Sequence, residues 1–116
     1  MSIELKKANE YEKTEQEKIP VEEKPAFHVA APVGWINDPN GFSWYQGQIH
    51  LFYQYHPYTT EWGPMHWGHS VSDDMIHWKN MPSVLAPDQE YDKRGCFSGS
   101  ATEKDRKTCT HLYRSK

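Results

Sequence analysis

An aspartate lies in the middle of residues 35–41, which read Trp-Ile-Asn-Asp-Pro-Asn-Gly. Taken alone, Asn-Asp-Pro-Asn-Gly is typical of a turn, because proline fixes φ while Asn and Gly tolerate positive φ. The neighbours add chemistry: Asp38 is flanked by the amide of Asn37 and follows the indole of Trp35, with Gln, Trp and His residues downstream. A carboxylate held on a rigid turn at a strand end is well placed for in-line attack on a sugar carbon. Asp38 is therefore a candidate nucleophile.

A metal site is the first alternative, because five histidines lie between residues 50 and 77. His66 and His69 are three residues apart, which places them on opposite faces of a strand. No Cys pair and no His-x-x-x-His helix accompanies them. The spacing argues against a metal, and no cofactor is expected. We interpret Cys96 as a small buried hydrophobe rather than a redox group. The histidines are His50, His56, His66, His69 and His77.

A non-catalytic sugar-binding module is the second alternative. Aromatic residues make up 14% of the chain, and all five Trp lie between residues 35 and 78. Aromatics more often pack sheets, yet indole rings also stack on sugar faces. Trp35, Trp62 and Trp67 are candidates for such stacking without hydrolysis. Asp38 separates the two interpretations, because a lectin does not need a candidate nucleophile.

Composition sets limits on the class of protein. The 116 residues suffice for one small domain, and a net charge of −3 with a pI near 6.1 gives no reason to expect a nucleic-acid or membrane partner. Two cysteines do not make a disulfide framework. No apolar run approaches the roughly 20 residues of a membrane span. The Glu/Lys-rich N-terminus lacks the apolar stretch of a signal peptide, so we expect a cytoplasmic protein.

The pattern of elements predicts an all-β chain behind one helix. Residues 3–18 favour an exposed helix that Pro20 and Pro25 end. Its thin apolar stripe leaves open whether it docks on the body or stays a solvated leader. Short antiparallel strands follow, in a sandwich, barrel or propeller, with a hairpin at Gln46-Gly47 and a stop at Pro82. The predicted strands are residues 42–45, 49–55, 67–72, 76–81 and 97–102.

Four segments occur together in one order: PAFHVAAPVGWINDPNG, HLFYQYHP, EWGPMHWGHSVSDDMIHW and GCFSGSA. With them, the stretch from Pro25 to Lys107 resembles glycoside hydrolase family 32, the invertases, inulinases and sucrose-6-phosphate hydrolases. The resemblance implies a five-bladed β-propeller followed by a β-sandwich, with this chain holding the first blade and the start of the second, an incomplete domain. It implies retaining hydrolysis of the β-fructofuranosidic bond of sucrose or sucrose 6-phosphate, with an inulin- or levan-type fructanase as the alternative parent.

The same resemblance assigns roles to seven residues. Asp38 would be the nucleophile that attacks the anomeric carbon of fructose, and Trp35 would shape the wall beside it. The partner is a small sugar, whose fructosyl unit would occupy a pocket lined by Asn37, Gln54, Trp62, Phe97 and Ser98.

Retaining glycosidases need a second carboxyl group about 5 to 5.5 Å from the nucleophile. The family carries it as a Glu beside a Cys, together with an Asp in an Arg-Asp-Pro motif, and neither motif occurs here. Glu61, Glu90 and Glu103 stand in no matching context and are predicted to be surface residues. We therefore expect this chain alone to be inactive. Because a partial propeller leaves sheet edges open, we also expect it to be poorly stable and to aggregate.

The chain divides into a charged leader (1–25), the family domain (26–107) and a tail (108–116) that we interpret as out of frame. A returning hairpin strand should be apolar and β-prone, whereas residues 108–116 read TCTHLYRSK. With permitted codons, deleting the first A of the Thr108 codon gives Leu-Val-Leu-Ile-Tyr-Thr-Gly. In that case Cys109 and His111 have no function, and Arg106 and Lys107 are the last native residues.

Sequencing the locus tests this prediction. We expect the DNA downstream, read in the shifted frame, to encode the Arg-Asp-Pro and Glu-Cys segments of the family. Downstream DNA that encodes neither segment would show that the tail is not a frameshift product.

Overall fold

The computed structural model describes the backbone of residues 1–112 and the side chains of residues 1–107. Within these residues the first four strands pair in chain order as one antiparallel sheet, and the last two strands pair as a separate hairpin. The prediction of short antiparallel strands behind one N-terminal helix is confirmed. The elements are α1 (Ile3–Gln16), a 3₁₀ helix (Val21–Glu23), β1 (Trp35–Tyr45), β2 (Gln48–His56), β3 (His66–Ser72), β4 (Lys79–Leu85), β5 (Gly99–Lys104) and β6 (Lys107–Leu112).

The segment Asn-Asp-Pro-Asn-Gly lies inside β1, so the prediction that it forms a turn at a strand end is wrong. It folds as a bulge instead. β1 passes from Ile36 to Pro39 while β2 passes from Tyr55 to Tyr53, so two residues of β1 oppose the single residue Gln54. Such a bulge bends the strand and redirects its side chains. Proline has no N–H to donate, and it is tolerated at a bulge because the regular ladder of hydrogen bonds is interrupted there.

A second irregularity follows at once in β1. The pairing of Asn40 with Phe52 is succeeded by that of Ser43 with His50, again one residue more on β1 than on β2. Gly41 lies between them with φ of +53°, and a Cβ there would stand 2.8 Å from the Phe52 ring. Only glycine accepts both the left-handed backbone and that close approach. The hairpin predicted at Gln46-Gly47 then joins β1 to β2, as expected.

β4 begins later and ends later than predicted, and Pro82 does not stop it. The carboxylate of Asp74 accepts hydrogen bonds from the backbone N–H groups of Ile76 and His77, both at 2.8 Å, and holds those residues in a turn. The hydrogen bond from the His77 side chain, together with these two backbone bonds, keeps the pKa of Asp74 well below its usual range. Pro82 lies in an irregular stretch of β4, an edge strand, where a missing N–H disrupts no inner ladder.

The helix α1 docks on β4, which decides between the two alternatives left by the sequence. The Ser83 N–H donates to Asn9 Oδ1 at 2.8 Å, and Asn9 Nδ2 donates to the Ser83 carbonyl at 3.3 Å. The Ser83 hydroxyl donates to Glu12 Oε2 at 3.0 Å. Glu12 is 5% exposed, and burial raises the pKa of its carboxyl. Ala8 is completely buried on the same side of the helix.

The two faces of the sheet carry different clusters, because side chains alternate along β2. Tyr53 and Tyr55 pack with Val33 on one face. Phe52 packs on the other, and Gln54 shares that face by alternation. The second cluster comprises Phe52, Trp67, Cys96 and Ala101, with Val84 and Leu85 against it.

The final hairpin begins two residues later than predicted, at Gly99. β6 pairs with β5 from Lys107 to Leu112, so a returning strand is present. Residues 113–116 and the side chains after Lys107, to which the interpretation of the tail refers, lie outside the described residues. Among residues 1–112, no helix is both long and apolar enough to cross a membrane.

The docking of α1 should weaken as pH rises. In the native protein the pKa of the Glu12 carboxyl lies above its ordinary value of 4.5. Between the ordinary pKa and this raised native pKa the native state binds more protons than the unfolded state, so the free energy of unfolding falls as pH rises across that interval. Glu12→Gln keeps the hydrogen bond from Ser83 but does not titrate. In hydrogen–deuterium exchange corrected for intrinsic rates, we expect wild type and Glu12→Gln to match below pH 4.5 and the variant to protect α1 better near neutrality.

The exposed Glu10→Gln is the matched control on the same helix and should follow the wild type. Equal protection of α1 in wild type and Glu12→Gln at every pH would contradict the prediction.

Candidate active site

The bulge in β1 brings Asn37 and Asp38 to one cavity of about 330 Å³ on the same face as Gln54. The loop before β5 forms the opposite side. Trp62 is 67% exposed and Phe97 is 41% exposed, so both present aromatic surface to a ligand in the cavity. Six of the seven residues predicted from the sequence therefore lie together. The lining residues are Asn37, Asp38, Gln54, Trp62, Met65, Arg94, Gly95, Cys96, Phe97 and Ser98.

Trp35 is the predicted residue that does not line this cavity. Its indole Nε1 donates a hydrogen bond to Asn37 Oδ1 at 2.9 Å. The bond engages the Asn37 carbonyl oxygen, whereas the two donors of its NH₂ group remain for other partners. Trp35 therefore contacts the site through Asn37, which it orients.

The loop that forms the opposite wall is tied to the sheet from below. The Cys96 N–H donates to the Met65 carbonyl at 2.7 Å. The indole of Trp67, which is completely buried, donates to the Phe97 carbonyl at 3.0 Å. A buried indole N–H without a partner would cost about 1 to 3 kcal/mol, so this bond fixes both the ring and the loop.

Two side-chain amides connect the walls directly. Gln54 Nε2 donates to Ser98 Oγ at 3.3 Å, and Asn40 Oδ1 accepts from the Gly99 N–H at 3.3 Å. These bonds explain why β5 starts at Gly99 rather than at Phe97: the two residues before it belong to the cavity wall. The sequence held a signal for Asn40, an amide next to the bulge, but its role as a link between walls was missed.

Gln54 presents an unused acceptor at the site. Gln54 is 4% exposed, and its Oε1 has no hydrogen-bond partner among the described residues. A buried acceptor without a partner is unfavourable, so a ligand hydroxyl that donates to it would gain a hydrogen bond at little cost.

Among the described residues, two charged side chains line the cavity, the carboxylate of Asp38 and the guanidinium of Arg94. Arg94 was missed in the sequence, although its position just before Gly-Cys-Phe-Ser marked it as a neighbour of the loop. Asp38 is exposed. Of the described carboxylates, only Asp38 lines the cavity, and Glu61, Glu90 and Glu103 are exposed elsewhere, as predicted.

Cys96 is 1% exposed, which confirms its interpretation as a buried residue. Burial raises the pKa of its thiol to about 12, and the neighbouring Asp92 carboxylate adds to the rise. The Sγ atom lies 3.8 Å from Asp92 Oδ2 and donates to it. A thiol held neutral in this way is neither a nucleophile nor a redox group at physiological pH.

The histidines are engaged in local contacts. His56 and His66 each donate from Nδ1 to the Pro64 carbonyl at 3.1 Å. His50 and His69 pair through their ring nitrogens at 2.9 Å, and burial lowers the pKa of His66 and of His69 to about 4. Among residues 1–107, no three His, Cys, Asp or Glu side chains come together in a group that would hold a metal ion.

Comparison with known proteins identifies relatives of the whole arrangement. Residues 28–116 match the family model of the glycosyl hydrolases family 32 N-terminal domain. A sucrose-6-phosphate hydrolase from Escherichia coli is 61% identical over 79 residues, which are 68% of this chain and 17% of that protein. A levanase from Bacillus subtilis is 53% identical over 78 residues, 67% of this chain and 11% of that protein.

A solved structure agrees with the sequence relatives. A family 32 β-fructofuranosidase from Bombyx mori superposes with a TM-score of 0.73 at 38% identity, covering 93% of this chain and 26% of that chain. The chain thus spans 17% of the length of the E. coli relative and about a quarter of the length of this solved one.

The thiol of Cys96 should resist alkylation in the native protein. In a Cys109→Ser background, iodoacetamide at pH 8 should leave Cys96 unlabelled, because a thiol with a pKa of about 12 and 1% exposure offers almost no accessible thiolate. Mass spectrometry before and after denaturation in guanidinium measures the difference. Labelling of the native protein as fast as that of the denatured protein would contradict the described packing.

Proposed function

The chain belongs to family 32 of the glycosyl hydrolases, and on that premise we propose that it supplies the nucleophile side of an active site that hydrolyses the β-fructofuranosidic bond of sucrose or sucrose 6-phosphate. The observation that carries the proposal is the cavity in which the Asp38 carboxylate meets two amides and an exposed indole. The names of the relatives support the bond type: one is a sucrose-6-phosphate hydrolase and another a β-fructofuranosidase.

Asp38 is the proposed nucleophile of a retaining mechanism. Its carboxylate attacks the anomeric carbon of the fructosyl unit, forms a covalent fructosyl-enzyme, and releases it to water in a second step. Such a mechanism needs a second carboxyl group about 5 to 5.5 Å away to protonate the leaving oxygen. Asp38 is the one carboxylate among the residues that line the cavity. We therefore propose that the acid belongs to a part of the protein outside this chain.

The amides hold the sugar. Gln54 accepts from a fructosyl hydroxyl through its unpaired Oε1, while its NH₂ group stays on Ser98. Asn37, whose carbonyl oxygen is occupied by Trp35, donates through its NH₂ group. Trp62 and Phe97 cover the sugar and exclude water, which strengthens these hydrogen bonds as charge develops in the oxocarbenium-like transition state.

Two other candidate functions are kept open by specific observations. The levanase from Bacillus subtilis matches nearly the same length of chain, so a fructanase parent is the alternative within the family. A sugar-binding fragment without hydrolysis is the alternative outside catalysis, and the exposed Trp62 favours it. The five-bladed propeller with this sheet as its first blade, the domain boundaries at residues 25 and 107, and the cytoplasmic location remain predictions.

Replacement of Asp38 separates hydrolysis from binding. In the complete protein that carries these residues, Asp38→Asn should lower kcat on sucrose by roughly 10³-fold or more and change sugar affinity by less than about threefold, because the amide keeps the shape but cannot form the covalent intermediate. Asp73→Asn, an exposed carboxylate outside the cavity, is the matched control and should retain activity.

Assay of released fructose and calorimetry with sucrose measure the two quantities. The 116-residue chain alone should release no fructose, since a single carboxyl group, that of Asp38, lines the cavity among its described residues. If Asp38→Asn hydrolyses sucrose as fast as wild type, Asp38 is not the nucleophile. If the isolated 116-residue chain hydrolyses sucrose as fast as the complete protein, a second carboxyl group from outside the chain is not required.

A further inference from the structure

We propose that Arg94 is the residue that recognises a phosphate group on the sugar and so determines the specificity of the site for sucrose 6-phosphate over sucrose. The inference rests on the proposed function, because it concerns the substrate of the same cavity. It goes beyond that function in naming which side chain reads the phosphate.

The first observation is the position of the charge. Arg94 is the one cationic side chain that lines the cavity with Asp38 in the part of the chain whose side chains the structure describes, residues 1–107. The ion pairs found among residues 1–107 join Lys18 to Glu15, His77 to Asp74, and Lys93 to Glu90, so Arg94 takes part in none. Its immediate neighbour Lys93 pairs with Glu90, whereas Arg94, an exposed residue that lines the cavity, has no ion-pair partner among the side chains of residues 1–107.

The second observation is the rigidity of the backbone that presents it. The Gly95 N–H donates to the Asp92 carbonyl at 2.7 Å, and the next N–H, of Cys96, donates to the Met65 carbonyl at 2.7 Å. Gly95 has φ of +130°, and a Cβ on it would stand 2.8 Å from the Met65 nitrogen. The two hydrogen bonds and this close approach fix the backbone directly after Arg94, so this lining residue is held at a defined place beside the cavity.

The third observation is the chemistry of the other lining groups. Apart from Asp38, they are amides, a hydroxyl, aromatic rings, sulfur-containing side chains and a glycine, all of them neutral. Amides and hydroxyls satisfy the hydroxyl groups of a neutral sugar. A guanidinium, by contrast, is permanently charged, and its planar fork matches a phosphate through two parallel hydrogen bonds. An unpaired guanidinium beside neutral sugar-binding groups therefore indicates a sugar that carries an anion.

One rival role is available to the same charge. Arg94 shares the cavity with Asp38, so its charge would also attract and orient that carboxylate. The two roles differ in what they affect. A residue that acts on the nucleophile alters the hydrolysis of every substrate, whereas a residue that binds the phosphate alters only the phosphorylated one.

The test compares two substrates in the complete protein that carries these residues. Arg94→Met, which keeps most of the side-chain length without the charge, should reduce kcat/KM for sucrose 6-phosphate by roughly 10- to 100-fold. The loss should appear in KM with kcat nearly unchanged, because a phosphate remote from the breaking bond is bound equally in ground and transition states. For sucrose, kcat/KM should change by less than about threefold, with the same pH profile.

Lys93→Met is the matched control, adjacent in sequence but paired with Glu90, and should leave both substrates unaffected. Inorganic phosphate at constant ionic strength should inhibit sucrose hydrolysis competitively in wild type and not in Arg94→Met. An equal loss on both substrates, or a pH profile shifted on sucrose, would overturn the proposal and assign Arg94 to Asp38.

A wild-type protein that hydrolyses neither substrate would count against the proposed function instead. In that case calorimetry with sucrose 6-phosphate and sucrose still decides the inference. Preferential binding of the phosphorylated sugar that is lost in Arg94→Met would support it, and equal binding of both sugars by wild type would overturn it.

Discussion

The cavity depends on a single extra residue in the pairing of β1 with β2. In a regular strand, Asn37 and Asp38 would point to opposite faces of the sheet, and only one of them would reach the side that Gln54 occupies. Because both oppose Gln54 in the bulge, an amide and a carboxylate line the same cavity. The composition Asn-Asp-Pro-Asn-Gly suits this irregularity: the proline forgoes a ladder hydrogen bond, and Gly41 accepts the left-handed backbone that follows.

The opposite wall of the cavity is held in place by residues that lie far from it in the sequence. Residues before β5 are held over the sheet by bonds to Met65, Trp67, Gln54 and Asn40, which lie in or beside three different strands. The hydrophobic cluster under them joins β2 and β3 to Cys96 and Ala101. A single packed face therefore sets the distance between the walls that carry Asp38 and Arg94.

Most of the candidate site could be predicted from the sequence, and much less of the local backbone could. The sequence motifs identified Asp38, Gln54 and Ser98, and the structure brings all three to one cavity. Turn-forming letters misled twice: the segment around Asp38 and the residue Pro82 both lie inside strands, since bulges in edge strands tolerate the same residues as turns. The docking of α1 was not decidable, because the contacts of Asn9 and Glu12 with Ser83 join residues more than 70 positions apart.

The hydrogen bonds between the Asn9 amide and Ser83 affect whether another chain can pair with the edge of the sheet at β4. It gives Ser83 one acceptor and one donor, the same pair of bonds that a neighbouring extended chain would offer. With Ser83 satisfied by a helix, β4 presents no continuous row of free backbone groups to a passing segment. Strand addition, in which a sheet edge pairs with a peptide or with a misfolded copy of the same chain, is thereby disfavoured at this edge. The helix α1 thus protects this edge of the sheet from pairing with another strand.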